Sequence, residues 1–125
     1  MSIPAFTPSQ LSQYRQTARR RQATRSGLVK TRMDAGWQVA HRAAKLLREE
    51  YHAKRVVVFG SLLSAVCFTP WSDVDIAVWG LEPDQTFRAI GAVMDLTSSL
   101  EINLVDVNTC VPSLLQKIER EGVEI

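Results

Sequence analysis

The chain has 125 residues, of which 46% are apolar and 22% charged, as in a single globular domain. No apolar run is long enough to span a bilayer and no signal peptide opens the chain, so we expect a cytoplasmic protein without a membrane partner. Cys67 and Cys110 have no zinc or redox spacing and are expected to be half-buried free thiols. The net charge of +2 is unevenly divided, because residues 1–55 hold 12 Lys/Arg and 3 Asp/Glu, whereas residues 56–125 hold 3 and 10. This asymmetry indicates a nucleic-acid arm, a charged partner surface, or compensation of the acidic half by the basic half or by bound cations.

The first predicted element is a helix over residues 8–25, which carries few large apolar side chains. We interpret its Arg19-Arg20-Arg21 run as a solvated helix face. No aromatic residue is interleaved with the arginines, so nucleic-acid binding is not expected. Gly27 predicts a break. We therefore divide the chain into a basic helical N-terminal extension, residues 1–27, and a main domain, residues 28–125.

A second helix is predicted over residues 28–51, because Trp37, Ala40, Ala44 and Leu47 recur at helical spacing. The next elements are a strand at Val56–Phe59, a short helical or irregular piece through Phe68 and a strand at Asp73–Trp79. They are followed by a helix at 84–98, a strand at 101–107 and a helix at 113–121. The helix at 84–98 is expected to pack through Phe87, Ile90 and Val93/Met94. The predicted fold class is α/β (α+β), with a small mixed sheet of at least three strands flanked by helices.

Two aspartates, Asp73 and Asp75, open the second strand. Strand side chains alternate between faces, so both carboxylates project together, roughly 7 Å apart at the Cα atoms, whereas Val74 and Ile76 point into the core. Like charges this close raise each other's pKa unless a cation lies between them, and Mg²⁺ prefers such oxygen ligands. The alternative is an Asx turn at the start of the strand.

A Gly60-Ser61 pair follows the first strand. It predicts either a plain strand-to-helix turn or a phosphate site made of backbone N–H groups and a hydroxyl. P-loop and dinucleotide motifs are absent from the sequence. A phosphate cradle followed, a dozen residues later, by Ser-Asp-x-Asp at the next strand is the combination that metal-assisted nucleotidyl transfer requires.

This combination resembles the minimal nucleotidyltransferases (MNT) of the DNA polymerase β-like superfamily, over about residues 28–125. The matching residues are Phe59-Gly60-Ser61 and Ser72-Asp73-Val74-Asp75-Ile76, supported by Leu104-Val105-Asp106. The resemblance implies the polymerase β-like fold and transfer of a nucleoside monophosphate from an NTP to a hydroxyl. It also implies that Gly60, Ser61 and Ser72 contact the nucleotide and that Asp73 and Asp75 are catalytic ligands of a two-metal Mg²⁺ site.

The resemblance implies a third carboxylate on the following strand, at a position that is Asn103 in this sequence. Glu101 shares a strand face with Asn103, so we predict Glu101 as the third metal ligand and catalytic carboxylate. Asp106 lies on the opposite face and is expected to be structural. A second departure is Leu62-Leu63, where a small residue and an arginine often follow Gly-Ser.

MNT proteins act beside helical HEPN-type partners, often as the antitoxin of a toxin–antitoxin pair, and some attach AMP to that partner. The resemblance therefore implies Mg-dependent transfer of a nucleotide, AMP from ATP, to a tyrosine or other hydroxyl of a HEPN-type partner. The alternative, favoured by Asn103 and Leu62-Leu63, is a weakly active or inactive module that neutralises or scaffolds a partner by direct binding. The sequence leaves the acceptor, the NTP and the oligomeric state open, homo-oligomers included.

Overall fold

A computed structural model describes residues 7–125, apart from the side chains of residues 22–26. The elements, in chain order, are α1 (Pro8–Tyr51), β1 (Arg55–Phe59), a 3₁₀ turn (Gly60–Leu63), β2 (Val74–Trp79), a second 3₁₀ turn (Pro83–Gln85), α2 (Thr86–Met94), β3 (Ile102–Asp106), α3 (Pro112–Glu121) and β4 (Val123–Glu124). None of the described helices is long and apolar enough to span a bilayer. Of the two free cysteines, Cys110 is half-buried as expected, whereas Cys67 is exposed.

The four strands form one mixed sheet in the order β3-β2-β1-β4. β1 runs antiparallel to both β2 and β4, and β2 runs parallel to β3. The predicted α+β class and mixed sheet are confirmed. β4 was not predicted, because two residues are too few to show an alternating pattern. Gly122 allows this strand to form, since any side chain there would collide with Val57 and with the Ile118 carbonyl.

α1 is one continuous helix of 44 residues, about 66 Å long. It begins at a Thr7–Gln10 capping box and passes through Gly27, so the predicted break is wrong. An interior glycine costs only about 1 kcal/mol relative to alanine, which is too little by itself to end a helix. Residues 7–21 are exposed, and Ala40 and Leu47 are among the buried residues that pack α1 on the sheet. The division into residues 1–27 and 28–125 stays a prediction.

The core has two parts, one on each face of the sheet. The larger part joins α1 and α2 to one face and includes Val74 and Ile76, which confirms the predicted alternation of β2. The smaller part lies under α3 on the other face. The predicted face of α2 is right at Val93, which is buried, and wrong at Phe87, which is 88% exposed. The other buried residue of the helix is Ala89. This short helix carries apolar residues on both sides, so its pattern fits two stripes equally well.

Candidate active site

The two aspartates stand on the sheet face opposite the main core, where β2 begins. Asp75 lies between Phe59 of β1 and Asn103 of β3 in one row across the sheet. The Asn103 amide nitrogen, Nδ2, donates to Oδ2 of Asp73 at 3.2 Å and to Oδ1 of Asp75 at 3.1 Å. Both carboxylates therefore lie on one face, as the alternation predicts. The Asx turn is not formed, since neither carboxylate accepts from the backbone of the described chain.

Asn103 thus occupies the position predicted for a third carboxylate and bridges the other two. Its amide group supplies two N–H donors, one for each aspartate. Hydrogen bonds to charged acceptors stabilise more than neutral ones, so this amide offsets part of the repulsion between Asp73 and Asp75. The sequence shows the asparagine, but it does not show that a single amide reaches both carboxylates.

The pKa of the Asp75 carboxyl is raised above its usual range, chiefly by burial and also by the negative charge of Asp73. The hydrogen bond from Asn103 and the charge of Lys117 act in the opposite direction and lower this pKa. Lys117 is exposed on α3 and was not identified from the sequence, because nothing local distinguishes it from other surface lysines. The net rise means that the surroundings of Asp75 stabilise its ionised form less than water does.

Gly60 forms the turn that lies against Asp75. Its backbone φ of +78° is one that residues with a side chain rarely adopt, and any side chain there would collide with the Asp75 carboxylate. Ser61 follows in the 3₁₀ turn, half-buried, and its hydroxyl makes no hydrogen bond with the described residues. The structure therefore brings the Gly60-Ser61 turn and the aspartate pair together.

Ser72 lies just before the aspartates but closes a separate turn. Its Oγ accepts a hydrogen bond from the Thr69 backbone N–H at 2.8 Å and lies 3.1 Å from Thr69 Oγ1. A serine that closes a turn is fully accounted for by that structural role. The predicted contact of Ser72 with a nucleotide stays a prediction.

Glu101 is exposed at the start of β3, where its carbonyl accepts a hydrogen bond from Val74 N–H at 2.9 Å. It lines a hollow together with Asp73. In the part of the chain that the structure describes, no group of three His, Cys, Asp or Glu side chains is arranged to hold a metal. The structure thus brings Asp73 and Asp75 together and leaves Glu101 beside them. Its role as third ligand stays a prediction.

Asp106 lies elsewhere and is buried. It accepts hydrogen bonds from Thr86 Oγ1 at 3.0 Å and from the Asn108 backbone N–H at 3.0 Å. These contacts tie the end of β3 to α2 and to the turn that follows. Asp106 therefore has the structural role expected from its strand face.

No family model and no curated protein matches the sequence. Solved structures do match. The toxin–antitoxin MntA-HepT has a chain 21% identical, with a TM-score of 0.51 over 70% of this chain and 69% of that one. A toxin–antitoxin structure with AMP-PNP is 22% identical, with a TM-score of 0.55 over 68% and 70% of the two chains. The complex of a tri-AMPylated Shewanella oneidensis HEPN toxin with its MNT antitoxin is 22% identical, with a TM-score of 0.52 over 71% and 70%.

These likenesses, all below 25% identity, show the fold alone. The chain shares the fold of a chain found in solved toxin–antitoxin structures, among them MntA-HepT and a HEPN toxin with its MNT antitoxin.

Proposed function

We propose that this protein is a Mg²⁺-dependent nucleotidyltransferase that transfers AMP from ATP to a hydroxyl of a HEPN-type partner, as the antitoxin of a toxin–antitoxin pair. The observation that carries the proposal is the Asp73–Asp75 pair, bridged by Asn103 and lying against the Gly60 turn. The AMP-PNP bound in one structural neighbour and the AMPylated toxin in another support the nucleotide and the partner.

The aspartate pair fits a magnesium ion. Mg²⁺ is commonly held by one or two carboxylates, with the remaining ligands supplied by water and substrate phosphates. The raised pKa of Asp75 indicates that a nearby positive charge would stabilise its ionised form. Both carboxylates accept hydrogen bonds from the Asn103 amide. A rotation about χ2 of Asn103 would turn its carbonyl oxygen, a possible metal ligand, toward the pair. A second ion needs a further carboxylate, and we propose Glu101, which lines the same hollow as Asp73, for that role.

The residues of the site have distinct roles in this proposal. Asp73 and Asp75 hold the metal, which, when bound, neutralises charge on the attacking and leaving oxygens. The Ser61 hydroxyl and the backbone N–H groups of the Gly60 turn bind phosphate oxygens, and Gly60 permits the close approach of backbone and Asp75. Lys117 adds a positive charge on the α3 side of Asp75. A tyrosine or other hydroxyl of the partner is the proposed acceptor.

The test is transfer of label from ATP to a purified HEPN-type protein in the presence of Mg²⁺. The Asp73→Asn, Asp75→Asn double variant is expected to reduce transfer to background. Asp34→Asn, an exposed change on α1, serves as the matched control and is expected to retain full transfer. Transfer that survives the double substitution would falsify the mechanism.

A second candidate is a module of the same fold that neutralises its partner by contact alone. The observation in its favour is Asn103, a neutral side chain where a third carboxylate is predicted. Calorimetry separates the two candidates. A tight complex with the partner and no heat on addition of Mg-ATP would support the binding module, whereas Mg-ATP binding that depends on Asp75 would support the enzyme.

A further inference from the structure

A hollow of about 350 Å³ adjoins Asp73 at the edge of the sheet where β2 and β3 begin. Asp73 and Glu101 line it from the sheet, Ser99 lines it from the loop before β3, and Arg32 reaches it from α1. The hollow therefore combines Arg32 with Asp73, one of the two proposed metal ligands. Nothing in the sequence marks Arg32, which lies on a helix with many other basic residues.

Arg32 has a donor group without a partner. Its Nε is buried and makes no hydrogen bond, and Nη1 makes only a long one, 3.4 Å, to the Ser99 carbonyl. Neither Asp73 nor Glu101 lies within 4.0 Å of its guanidinium nitrogens, so Arg32 forms no ion pair with the carboxylates of the hollow. A buried N–H without an acceptor is costly, so this conformation leaves the guanidinium incompletely paired. A change of rotamer that turns the guanidinium into the hollow would present its planar fork to an oxyanion there.

The charges around the hollow restrict which oxyanion fits. A free anion would be repelled by Asp73 and Glu101, the two carboxylates that share the hollow with Arg32. A phosphate group that arrives with a divalent cation removes this conflict, since the cation faces Asp73 and the phosphate oxygens face the guanidinium. The sequence also lacks any Lys or Arg between Arg55 and Arg88, so no basic residue near the Gly60-Ser61 turn in the chain offers this charge.

We infer that Arg32 binds the phosphate chain of the metal–nucleotide substrate from the α1 side of the site. This inference rests on the proposed function. Arg32 then places a fixed positive charge opposite Lys117, which approaches the aspartates from α3. The long helix α1 would thereby contribute to substrate binding as well as to the core.

The test is calorimetric binding of Mg-AMP-PNP, a probe that does not require turnover, to three variants. Arg32→Gln is expected to weaken binding at least tenfold, because a charge-assisted hydrogen bond is lost. Arg32→Lys retains the charge without the fork and is expected to fall between Arg32→Gln and the wild type. Arg42→Gln removes the same charge from an exposed position on α1 and is expected to bind as the wild type does.

Two results would overturn the inference while leaving the proposed function intact: Arg32→Gln binding Mg-AMP-PNP as tightly as the wild type, or Arg32→Gln and Arg42→Gln weakening binding equally. The first result, combined with weaker binding of the partner protein, would assign Arg32 to the partner interface. Absence of nucleotide binding by the wild type would instead refute the proposed function and the inference together. Thermal melting checks that each variant is folded. If Arg32→Gln does not fold, the conservative variant Arg32→Lys still tests the inference.

Discussion

The amide that bridges the two aspartates allows a direct test of the site. Replacing Asn103 by Asp puts a third carboxylate where Nδ2 now lies 3.2 Å from Asp73 and 3.1 Å from Asp75. Without metal, we expect this variant to be less stable than the wild type. With Mg²⁺, we expect it to recover stability, because three carboxylates make a stronger cation site than two.

The size of the loss follows from the two contacts. Each hydrogen bond from an amide to a charged acceptor contributes about 1.5 kcal/mol. Two like charges about 3 Å apart repel by about 1.4 kcal/mol in water and more strongly in a half-buried site. Side-chain rotation and proton uptake at Asp75 relieve part of both effects. We therefore expect the free energy of unfolding to fall by about 2 to 3 kcal/mol for Asn103→Asp in the absence of metal.

The assay is urea unfolding in chelator and in saturating Mg²⁺. Asn103→Ala removes the hydrogen bonds without adding charge, so we expect a smaller loss in chelator. Because it keeps only two carboxylates, we expect Mg²⁺ to stabilise it less than it stabilises Asn103→Asp. Gln38→Glu adds a negative charge at an exposed position on α1 and is expected to change stability by less than about 0.5 kcal/mol. If Asn103→Asp is as stable as the wild type in chelator, or if Mg²⁺ stabilises it no more than Asn103→Ala, the reasoning is refuted.

Three further predictions concern stability. Gly60→Ala is expected to lower the free energy of unfolding by about 1 to 3 kcal/mol, because Gly60 has a φ of +78° and an added Cβ would collide with Asp75. The control is Gly91→Ala on α2, where an added Cβ meets open space. It is expected to raise the free energy of unfolding by up to about 1 kcal/mol. Gly122→Ala is expected to detach β4, seen as faster amide hydrogen exchange at Ile125, whose N–H donates to the Val56 carbonyl of β1, and unchanged exchange would contradict this. Because the pKa of Asp75 is raised in the fold, ionised Asp75 destabilises the fold above that pKa, and this penalty is relieved as pH falls toward the ordinary value of about 4. Urea unfolding in chelator is therefore expected to show the wild type gaining stability relative to Asp75→Asn between pH 7 and 4, and a constant difference would contradict the raised pKa.

Much of the fold could be predicted from local patterns. The three longer strands and α3 agree with the sequence to within a residue or two, because alternation and turn residues act between close neighbours in the chain. The errors have the same origin. A break at Gly27 and packing through Phe87 were predicted from local patterns, but α1 continues through Gly27 and α2 packs through Ala89 as well as the predicted Val93. Local propensity is a weak preference that tertiary packing overrides.

The sequence by itself determined that Asp73 and Asp75 share a strand face, since alternation leaves a strand no other arrangement. It also showed the Gly60-Ser61 turn, the asparagine at position 103 and the uneven distribution of charge.

The tertiary structure alone decided how these parts meet. The Asn103 amide reaches both aspartates because β3 runs parallel to β2 in a register that sets Asn103 opposite Asp75. Lys117 from α3 and Arg32 from α1 come to the same end of the sheet from far apart in the chain. Contacts between distant segments depend on how helices pack on the sheet, and no pattern of neighbouring residues encodes that packing.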